Sequence, residues 1–268
     1  MVDAAAPFLI PLIAAVLAFA ALWPVSVMRR DVSIVEVLWG PGFFVQLAIA
    51  AAVRGAPGPQ GWLLLGLIGL WSARLAWVLL GRRRREGHED PRYQSMRASW
   101  GPAFWWQSLF VVFCLQAFLQ WLVVLGPMTG LQAGAAPLGW LSIVGALIAL
   151  AGLALETVAD RQLDQFKRTA GPNALMMTGL RAHVRHPNYL GEIVFWSGIA
   201  LICVEAGAWL GLASPLLITL FLTRISGAPL LDERLSATRP DYAAYRARVP
   251  GFIPLASNRS RAAGDRRP

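Results

Sequence analysis

The sequence predicts an all-α integral membrane protein built as a bundle of seven transmembrane helices. Hydrophobic residues make up 56% of the chain and charged residues only 15%, with a mean hydropathy of +0.52. This composition is too apolar for an ordinary soluble domain. Seven apolar runs approach the roughly 20 residues that a helix needs to cross a bilayer. The basic residues cluster between these runs, as is typical of a membrane protein.

The apolar runs predict where the helices lie and how they are oriented. In chain order they are found near 7–28, 34–53, 61–80, 104–126, 138–158, 191–208 and 209–227. The first run lacks the positive start of a signal peptide and is longer than a signal core, so we expect a retained helix. Arginines follow the first, third, fifth and seventh runs, whereas the other loops carry only Arg54. The positive-inside rule therefore predicts an outside N-terminus and a cytoplasmic C-terminus.

The domain organisation is predicted to be simple. A single membrane domain accounts for residues 1–258, and the Arg-rich segment 259–268 is expected to be disordered. The net charge of +9 does not indicate nucleic-acid binding, because the basic residues alternate with the apolar runs and face membrane lipids. Cys114 and Cys203 lie far apart in apolar runs, so we expect buried thiols rather than a disulfide or metal site. No protein partner is indicated, and a monomer is expected.

Ionisable residues inside the apolar runs are candidates for function, because burying them in a membrane is costly. Glu36 lies in the second run, Arg74 in the third and Arg224 in the seventh. A structural Glu36–Arg74 ion pair is the alternative to a catalytic Glu36, and Arg224 can instead reach the membrane surface with its long side chain.

The fifth run continues into "ETVADRQLDQFKR", residues 156–168. Glu156, Asp160, Asp164 and Lys167 recur there at helical spacing and predict one polar stripe. This stripe is either part of a site or a solvated helix face. Three glutamines of the fourth run are interpreted chiefly as interhelical hydrogen-bond donors and acceptors: Gln107, Gln116 and Gln120.

The octapeptide "RHPNYLGE", residues 185–192, places polar groups at the mouth of the sixth helix. Pro187 disfavours helical geometry at His186 and predicts that the helix begins there. Arg185, His186, Asn188 and Tyr189 would then surround a helix N-terminus, where backbone amides and the helix dipole favour an anion such as phosphate. This combination suits a nucleotide-containing cofactor.

Several common sites are excluded by their missing motifs. The chain has neither GxGxxG after a strand nor GxxxxGK[ST], so helices and loops would have to hold any nucleotide. It also lacks HExxH, a CxxC cluster and GxSxG, which argues against zinc peptidase, redox thiol and serine esterase chemistry.

The octapeptide, the "ETVADRQLDQFKR" segment before it and the C-terminal "PDYAAYRARVPGFIP" together resemble the steroid 5-alpha-reductase family, especially its bacterial relatives. The resemblance extends from about Asp31 to Pro254. It implies a seven-helix membrane reductase that binds NADPH from the cytoplasmic side and reduces an activated carbon–carbon double bond of a lipid. The implied location is the bacterial cytoplasmic membrane, with a lipophilic substrate that enters from the bilayer.

The resemblance also implies roles for individual residues. NADPH contacts are implied for Asp160, Lys167, Asn188 and Glu192, with Arg74 and, more loosely, Arg224. Glu36 matches a glutamate that hydrogen-bonds the substrate carbonyl, and Trp39 and Trp71 are candidate substrate contacts. The steroid enzymes pair that glutamate with a preceding glutamine and a third-helix tyrosine, whereas this chain has Val35 and Trp71. Glu156 stands where the family usually has asparagine.

Two other functions remain open at this point. The RHP-x-Y-x-G core is also similar to isoprenylcysteine carboxyl methyltransferases, which bind S-adenosylmethionine, and to sterol reductases. A non-catalytic lipid-binding membrane protein is a further alternative. The acid after the glycine, the aspartate of the fifth helix and Glu36 favour a reductase. In that reaction we expect a protonated Glu36 to stabilise negative charge on the substrate oxygen.

Overall fold

A computed structural model of the chain describes residues 4–131, 137–171 and 174–252, except for the side chain of Glu86. The segment 259–268 lies outside the described residues, so its disorder stays a prediction.

The described residues form helices and no strands. The α-helices are α1 Ala6–Arg29, α2 Trp39–Arg54, α3 Pro59–Glu86, α4 Pro91–Trp100, α5 Phe104–Ser108, α6 Leu115–Gly130, α7 Trp140–Thr169, α8 Pro187–Glu205, α9 Ala213–Leu220, α10 Ala228–Thr238 and α11 Tyr242–Arg248. Short 3₁₀ segments are Val32–Leu38, Gly101–Ala103, Gly179–Ala182 and Trp209–Leu212, and π-helical turns are Leu109–Cys114 and Phe221–Ile225. The predicted all-α class is confirmed.

Seven helical segments within the described ranges are long and apolar enough to cross a membrane. They are Ala6–Arg29, Val32–Arg54, Pro59–Arg85, Pro91–Gly130, Trp140–Thr169, Pro187–Glu205 and Trp209–Thr238. The predicted number of spans is confirmed, and the protein is an integral membrane protein. Several spans are longer than their apolar runs, because a helix that has formed gains a hydrogen bond for each polar residue it adds.

The chain divides into two compact units, which are described separately. Unit 1 comprises Met1–Ala149 and Ser197–Leu217, and unit 2 comprises Leu150–Trp196 and Ile218–Pro268. Glu36, Trp39, Trp71 and Arg74 belong to unit 1, and the other candidate site residues belong to unit 2.

In unit 1, α2 packs against α1, α3 and α6. The second span begins as the 3₁₀ helix Val32–Leu38 and continues as α2. Gln120 of α6 stabilises this junction by donating to the carbonyl oxygens of Leu38 at 3.0 Å and Trp39 at 2.6 Å. Gln116 donates to the Tyr93 hydroxyl at 3.1 Å. The predicted interhelical role is therefore confirmed for these two glutamines.

In unit 2, α7 and α8 approach closely at two glycines. A Cβ atom added to Gly191 would lie 2.8 Å from the Gly152 carbonyl oxygen and 2.7 Å from Cγ of Glu156. Small residues allow such close backbone contact between membrane helices. The helix α8 begins at Pro187 and His186 is not helical, as the sequence predicts.

Candidate functional site

The 3₁₀ helix that carries Glu36 is held by polar contacts at its start. Asp31 caps it by accepting from the Ser33 backbone N–H at 3.0 Å. Glu89 accepts from the Val32 backbone N–H at 2.8 Å, and the Asp90 backbone N–H donates to the Ser33 hydroxyl at 2.6 Å. The loop before α4 therefore fixes the backbone from which Glu36 projects.

An ion-pair cluster of four carboxylates and four arginines surrounds this start. Its members are Asp31, Glu36, Glu89, Asp90, Arg82, Arg83, Arg92 and Arg97. The pairs are Arg83–Asp31 at 2.6 Å, Arg97–Glu89 at 2.7 Å, Arg82–Asp90 at 3.3 Å, Arg92–Asp90 at 2.9 Å and Arg92–Glu36 at 2.6 Å. From the sequence, Arg82 and Arg83 count only as part of the basic loop that predicts the orientation of the chain, and the structure adds ion pairs for both.

Arg92 is the central residue of the cluster, because it contacts two carboxylates at once. Its Nε donates to Asp90 Oδ1 at 2.9 Å, and its Nη2 donates to Asp90 Oδ2 at 3.1 Å and Glu36 Oε1 at 2.6 Å. Hydrogen bonds and positive charge from Arg92 outweigh the effect of burial and hold the pKa of Asp90 below its ordinary value. The alternative considered from the sequence was an ion pair between Glu36 and Arg74. The structure pairs Glu36 with Arg92, so that alternative is wrong about the arginine.

The two tryptophans proposed as substrate contacts are linked through Phe43. The ring of Trp39 lies 5.3 Å from that of Phe43, which lies 5.2 Å from that of Trp71, and both pairs are edge-to-face. Trp39 is half-buried, whereas Trp71 is fully buried in unit 1. Trp39 is thus the tryptophan with surface available to a ligand in this arrangement.

In unit 2, Arg185 and His186 both contact Asp232 of α10. Arg185 Nη2 lies 3.1 Å from Asp232 Oδ2, and His186 Nε2 lies 2.9 Å from Asp232 Oδ1. The Tyr242 hydroxyl donates to the same carboxylate. Arg185 also donates to the Val249 carbonyl oxygen at 2.7 Å. These contacts join the octapeptide to the C-terminal segment that the sequence singled out.

His186 is 1% exposed and stacks on Tyr189, with their ring centroids 5.5 Å apart. Burial lowers its pKa to about 4, although the Asp232 carboxylate acts in the opposite direction. A neutral His186 therefore donates from Nε2 to Asp232. Its buried Nδ1 has no hydrogen-bond partner among the described residues. These contacts give His186 a structural role that the sequence did not predict.

Arg181 is a half-buried cation that no carboxylate pairs with in the part of the chain that the structure describes. Its Nη1 donates to the Arg185 carbonyl oxygen at 2.8 Å, and its buried Nε has no described partner. Burial lowers its pKa, while Tyr245, Tyr189 and Asp160 are close enough to interact with it electrostatically. Arg181 thus lies near two of the residues proposed to bind the cofactor.

The remaining candidates occupy different surroundings in unit 2. Asn188 and Glu192 are half-buried in the first two turns of α8. Lys167 is exposed on α7, and Arg224 is exposed in the π-helical turn Phe221–Ile225. The lower end of the polar stripe carries an exposed Arg168–Asp164 ion pair at 2.9 Å, which is typical of a solvated helix face.

The chain matches the family described as "Protein of unknown function (DUF1295)" over residues 22–249. The match covers most of the sequence, including both polar clusters. The chain belongs to the DUF1295 family. This family is a steroid 5-alpha-reductase-like group, so the resemblance stated from the octapeptide is confirmed at the level of the family. No curated protein and no solved structure matches the chain.

Unit 2 of this DUF1295 protein offers a donor to a phosphate-containing cofactor, because Arg181 has a buried N–H without a described acceptor. The buried Nδ1 of the neutral His186 is a hydrogen-bond acceptor, so it suits a hydroxyl or N–H group of a ligand and not a phosphate oxygen. A groove of about 780 Å³ in unit 2 is lined by two arginines, Arg185 and Arg246, and by two acids, Asp232 and Glu233. Its charges are therefore mixed, and Arg185 is the candidate cofactor residue among those that line it.

Proposed function

We propose that this protein uses NADPH to reduce a polarised carbon–carbon double bond of a lipophilic substrate that enters from the bilayer. Its proposed location is the bacterial cytoplasmic membrane, with the C-terminus in the cytoplasm and the chain acting as a monomer. Membership of a steroid 5-alpha-reductase-like family supports the reaction type.

The observation that carries the proposal is the half-buried guanidinium of Arg181, whose buried Nε N–H has no described acceptor. A buried donor of a charged group that stays unpaired is costly, so this N–H favours an anionic partner. The proposed partner is a phosphate of NADPH, close to Asp160 and Tyr189, which interact electrostatically with Arg181. The nearby N-terminus of α8 adds backbone N–H groups and a favourable dipole.

The same observation favours NADPH over S-adenosylmethionine. NADPH carries several phosphate charges, whereas S-adenosylmethionine carries one carboxylate and a positively charged sulfonium. A half-buried guanidinium attracts the first and repels the sulfonium of the second. This argument supports hydride transfer against the methyl transfer that the RHP-x-Y-x-G core also permits.

The proposed roles of the residues follow from the chemistry. When bound, NADPH supplies a hydride to the β-carbon of an enone. Asn188 and Glu192 orient the cofactor at the mouth of α8, with Asp160, Lys167 and Arg224 of unit 2 as further contacts. The contact with Arg74 is proposed from the family resemblance alone. In the proposed reaction Glu36 is protonated: one of its oxygens accepts from Arg92, and the other donates to the substrate oxygen, where negative charge develops. Trp39 excludes water there, with Trp71 packed behind it through Phe43.

The proposal predicts that the purified full chain in detergent binds NADPH more tightly than NADH and S-adenosylmethionine, measured by isothermal titration calorimetry. Arg181→Gln removes the half-buried charge and should weaken NADPH binding about tenfold or more, because hydrogen bonds to charged groups contribute about 1.5–3 kcal/mol. Arg161→Gln is the matched control, because Arg161 is an exposed arginine of the same unit.

Equal affinity of the wild type for NADPH and NADH would contradict the choice of cofactor. Tighter binding of S-adenosylmethionine would favour the methyltransferase, and binding of neither would favour a non-catalytic membrane protein. If Arg181→Gln melts like the wild type and keeps its NADPH affinity, the anion site is not at Arg181.

A further inference from the structure

The carboxyl group of Glu36 lies close to the N-terminal end of the second span of unit 1. Glu36 lies four residues after Val32, where that span begins. With the rise of about 2.0 Å per residue of a 3₁₀ helix, Glu36 is roughly 8 Å below the end of the span. Because the apolar span ends there, we expect a substrate group that reaches Glu36 to lie near the membrane surface, at the depth of the polar end of an amphiphilic lipid.

One guanidinium nitrogen of Arg92, the residue paired with Glu36, is left without a hydrogen bond among the described residues. Its Nε and Nη2 are occupied by Asp90 and Glu36, as given above. Within the described ranges, Nη1 makes no hydrogen bond, and neither does Glu36 Oε2. The Arg92 side chain is 43% exposed, whereas that of Asp90 is 6% exposed. A buried carboxylate thus anchors a guanidinium whose outer edge is accessible.

This anchoring gives the uncommitted N–H groups a fixed direction. A guanidinium is a planar fork, so two bonds to Asp90 and one to Glu36 define where Nη1 lies. Donors that are fixed before the reaction stabilise developing negative charge without reorganisation. Glu36 Oε1 lies 2.6 Å from Arg92 Nη2. This contact fixes the orientation of the carboxyl group and therefore the position of its other oxygen, Oε2.

The charge balance of the cluster points to the kind of substrate group. Among the described side chains that form these ion pairs, four carboxylates balance four arginines when Glu36 is ionised, and this set offers no net attraction to an anionic lipid. With Glu36 protonated, four arginines face three carboxylates, and the excess positive charge favours an oxygen that becomes negative during reaction. A neutral conjugated carbonyl that becomes an enolate meets this description.

We propose that Arg92 is a second catalytic donor, whose Nη1 binds the substrate's carbonyl oxygen together with the proton on Glu36 Oε2. The inference rests on the proposed function and adds to it a residue that the sequence treated only as a topology signal. It also narrows the substrate to an amphiphile with a conjugated carbonyl near its polar end. Asp90 is a positioning residue that acts through Arg92.

The test uses the full chain in detergent with progesterone, an α,β-unsaturated ketone, isotope-labelled at its conjugated carbonyl. Infrared spectroscopy of the bound probe measures the carbonyl stretch, which falls in frequency as hydrogen bonds to the oxygen strengthen. Arg92→Met removes the donor, so the carbonyl stretch should move part of the way back to its free frequency. The same substitution should lower kcat about a hundredfold. Arg92→Lys retains the charge but not the fork, and it should recover part of both.

Arg29→Gln is the control in the same unit, because Arg29 is an exposed arginine in the last turn of α1 and is not a member of the ion-pair cluster. It should leave the melting temperature, the carbonyl band and kcat as in the wild type. NADPH affinity should be unchanged in all three variants. Loss of kcat without any change of the carbonyl band in Arg92→Met would make Arg92 structural and overturn the inference.

Different results would show whether the role of Arg92 is wrong or the reductase function is wrong. If the wild type binds NADPH and reduces the probe, but Arg92→Met does so at a similar rate, the inference alone fails. If the wild type neither binds NADPH nor reduces the probe, yet its carbonyl band depends on Arg92, the reductase proposal fails and the carbonyl site stands. A wild-type carbonyl band at its free frequency overturns the inference directly.

Discussion

At the level of single residues, His186 has a structural consequence that depends on pH. It is buried among charged groups, with Asp232 accepting from it and Arg185 and Arg181 nearby. Since burial lowers its pKa to about 4, the folded protein takes up a proton there only near pH 4. The unfolded chain takes up this proton near the ordinary histidine value of about 6.5.

The predicted result is a loss of stability on acidification. Between these two pKa values the folded state binds fewer protons than the unfolded state. The contribution of His186 to the free energy of unfolding is therefore complete above about pH 6.5 and is lost as the pH falls towards 4. The loss is on the order of 3 kcal/mol, at about 1.36 kcal/mol per pKa unit. The measurement is the melting temperature in detergent between pH 7.5 and roughly pH 4.

The comparison of variants isolates this residue from other groups that titrate in the same range. His186→Gln should give a flatter dependence of melting temperature on pH, because it removes the titrating ring. His88→Gln, which alters an exposed histidine, should keep the wild-type dependence. Identical pH profiles for His186→Gln and the wild type would contradict the account.

Residue pairings were the least predictable feature of the sequence. Glu36 was recognised because an acid inside an apolar run is conspicuous, but its partner Arg92 is 56 residues away and belongs to a basic stretch that also fits a topology signal. Asp232 was missed because its contacts with the octapeptide depend on tertiary structure. The usable signal was composition, because Glu89 and Asp90 stand between the arginines of 82–85 and those of 92–97.

At the level of helices, the glycine of the octapeptide is explained by packing. Gly191 faces the backbone of α7, and a methyl group there would approach the Glu156 backbone nitrogen to 2.8 Å and the Gly152 carbonyl oxygen to 2.8 Å. Backbone atoms cannot move aside as a flexible side chain does. We expect Gly191→Ala to destabilise unit 2 by about 1–3 kcal/mol, which is the usual cost of overpacking.

A matched substitution separates this clash from the general effect of alanine in a helix. Gly66 of α3 is exposed, and a Cβ atom there meets nothing within 4 Å. Gly66→Ala should therefore leave the melting temperature unchanged or raise it, because alanine favours helix by up to about 1 kcal/mol. Equal melting temperatures for Gly191→Ala and Gly66→Ala would show that the α7–α8 contact is looser than described.

Helix positions were well predicted where hydropathy determines them and poorly where it does not. The seven spans follow from apolar runs long enough to cross a bilayer. The helix α4 lies between the predicted apolar runs 61–80 and 104–126, and hydropathy does not predict it because "PRYQSMRASW" has no apolar run. Its tertiary contacts stabilise it instead, including Arg97 over the Phe104 ring at 4.9 Å. The 3₁₀ start of the second span likewise depends on capping by Asp31.

At the level of the whole molecule, family membership and the two polar clusters support one account. Unit 1 presents an anchored guanidinium and a carboxyl near the end of an apolar span, and unit 2 presents a half-buried cation beside the start of α8. Charged groups are costly within a membrane, so we expect each of these features to serve a function. We propose a carbonyl site in unit 1 and a phosphate site in unit 2.

The most direct test of this account follows the transferred atom. The full chain in detergent is incubated with progesterone and NADPH that carries deuterium at its transferable position, and the product is analysed by mass spectrometry. The account predicts a reduced product with one deuterium at the β-carbon of the former enone. A product without deuterium, or transfer of a labelled methyl group from S-adenosylmethionine in the parallel reaction, would contradict it.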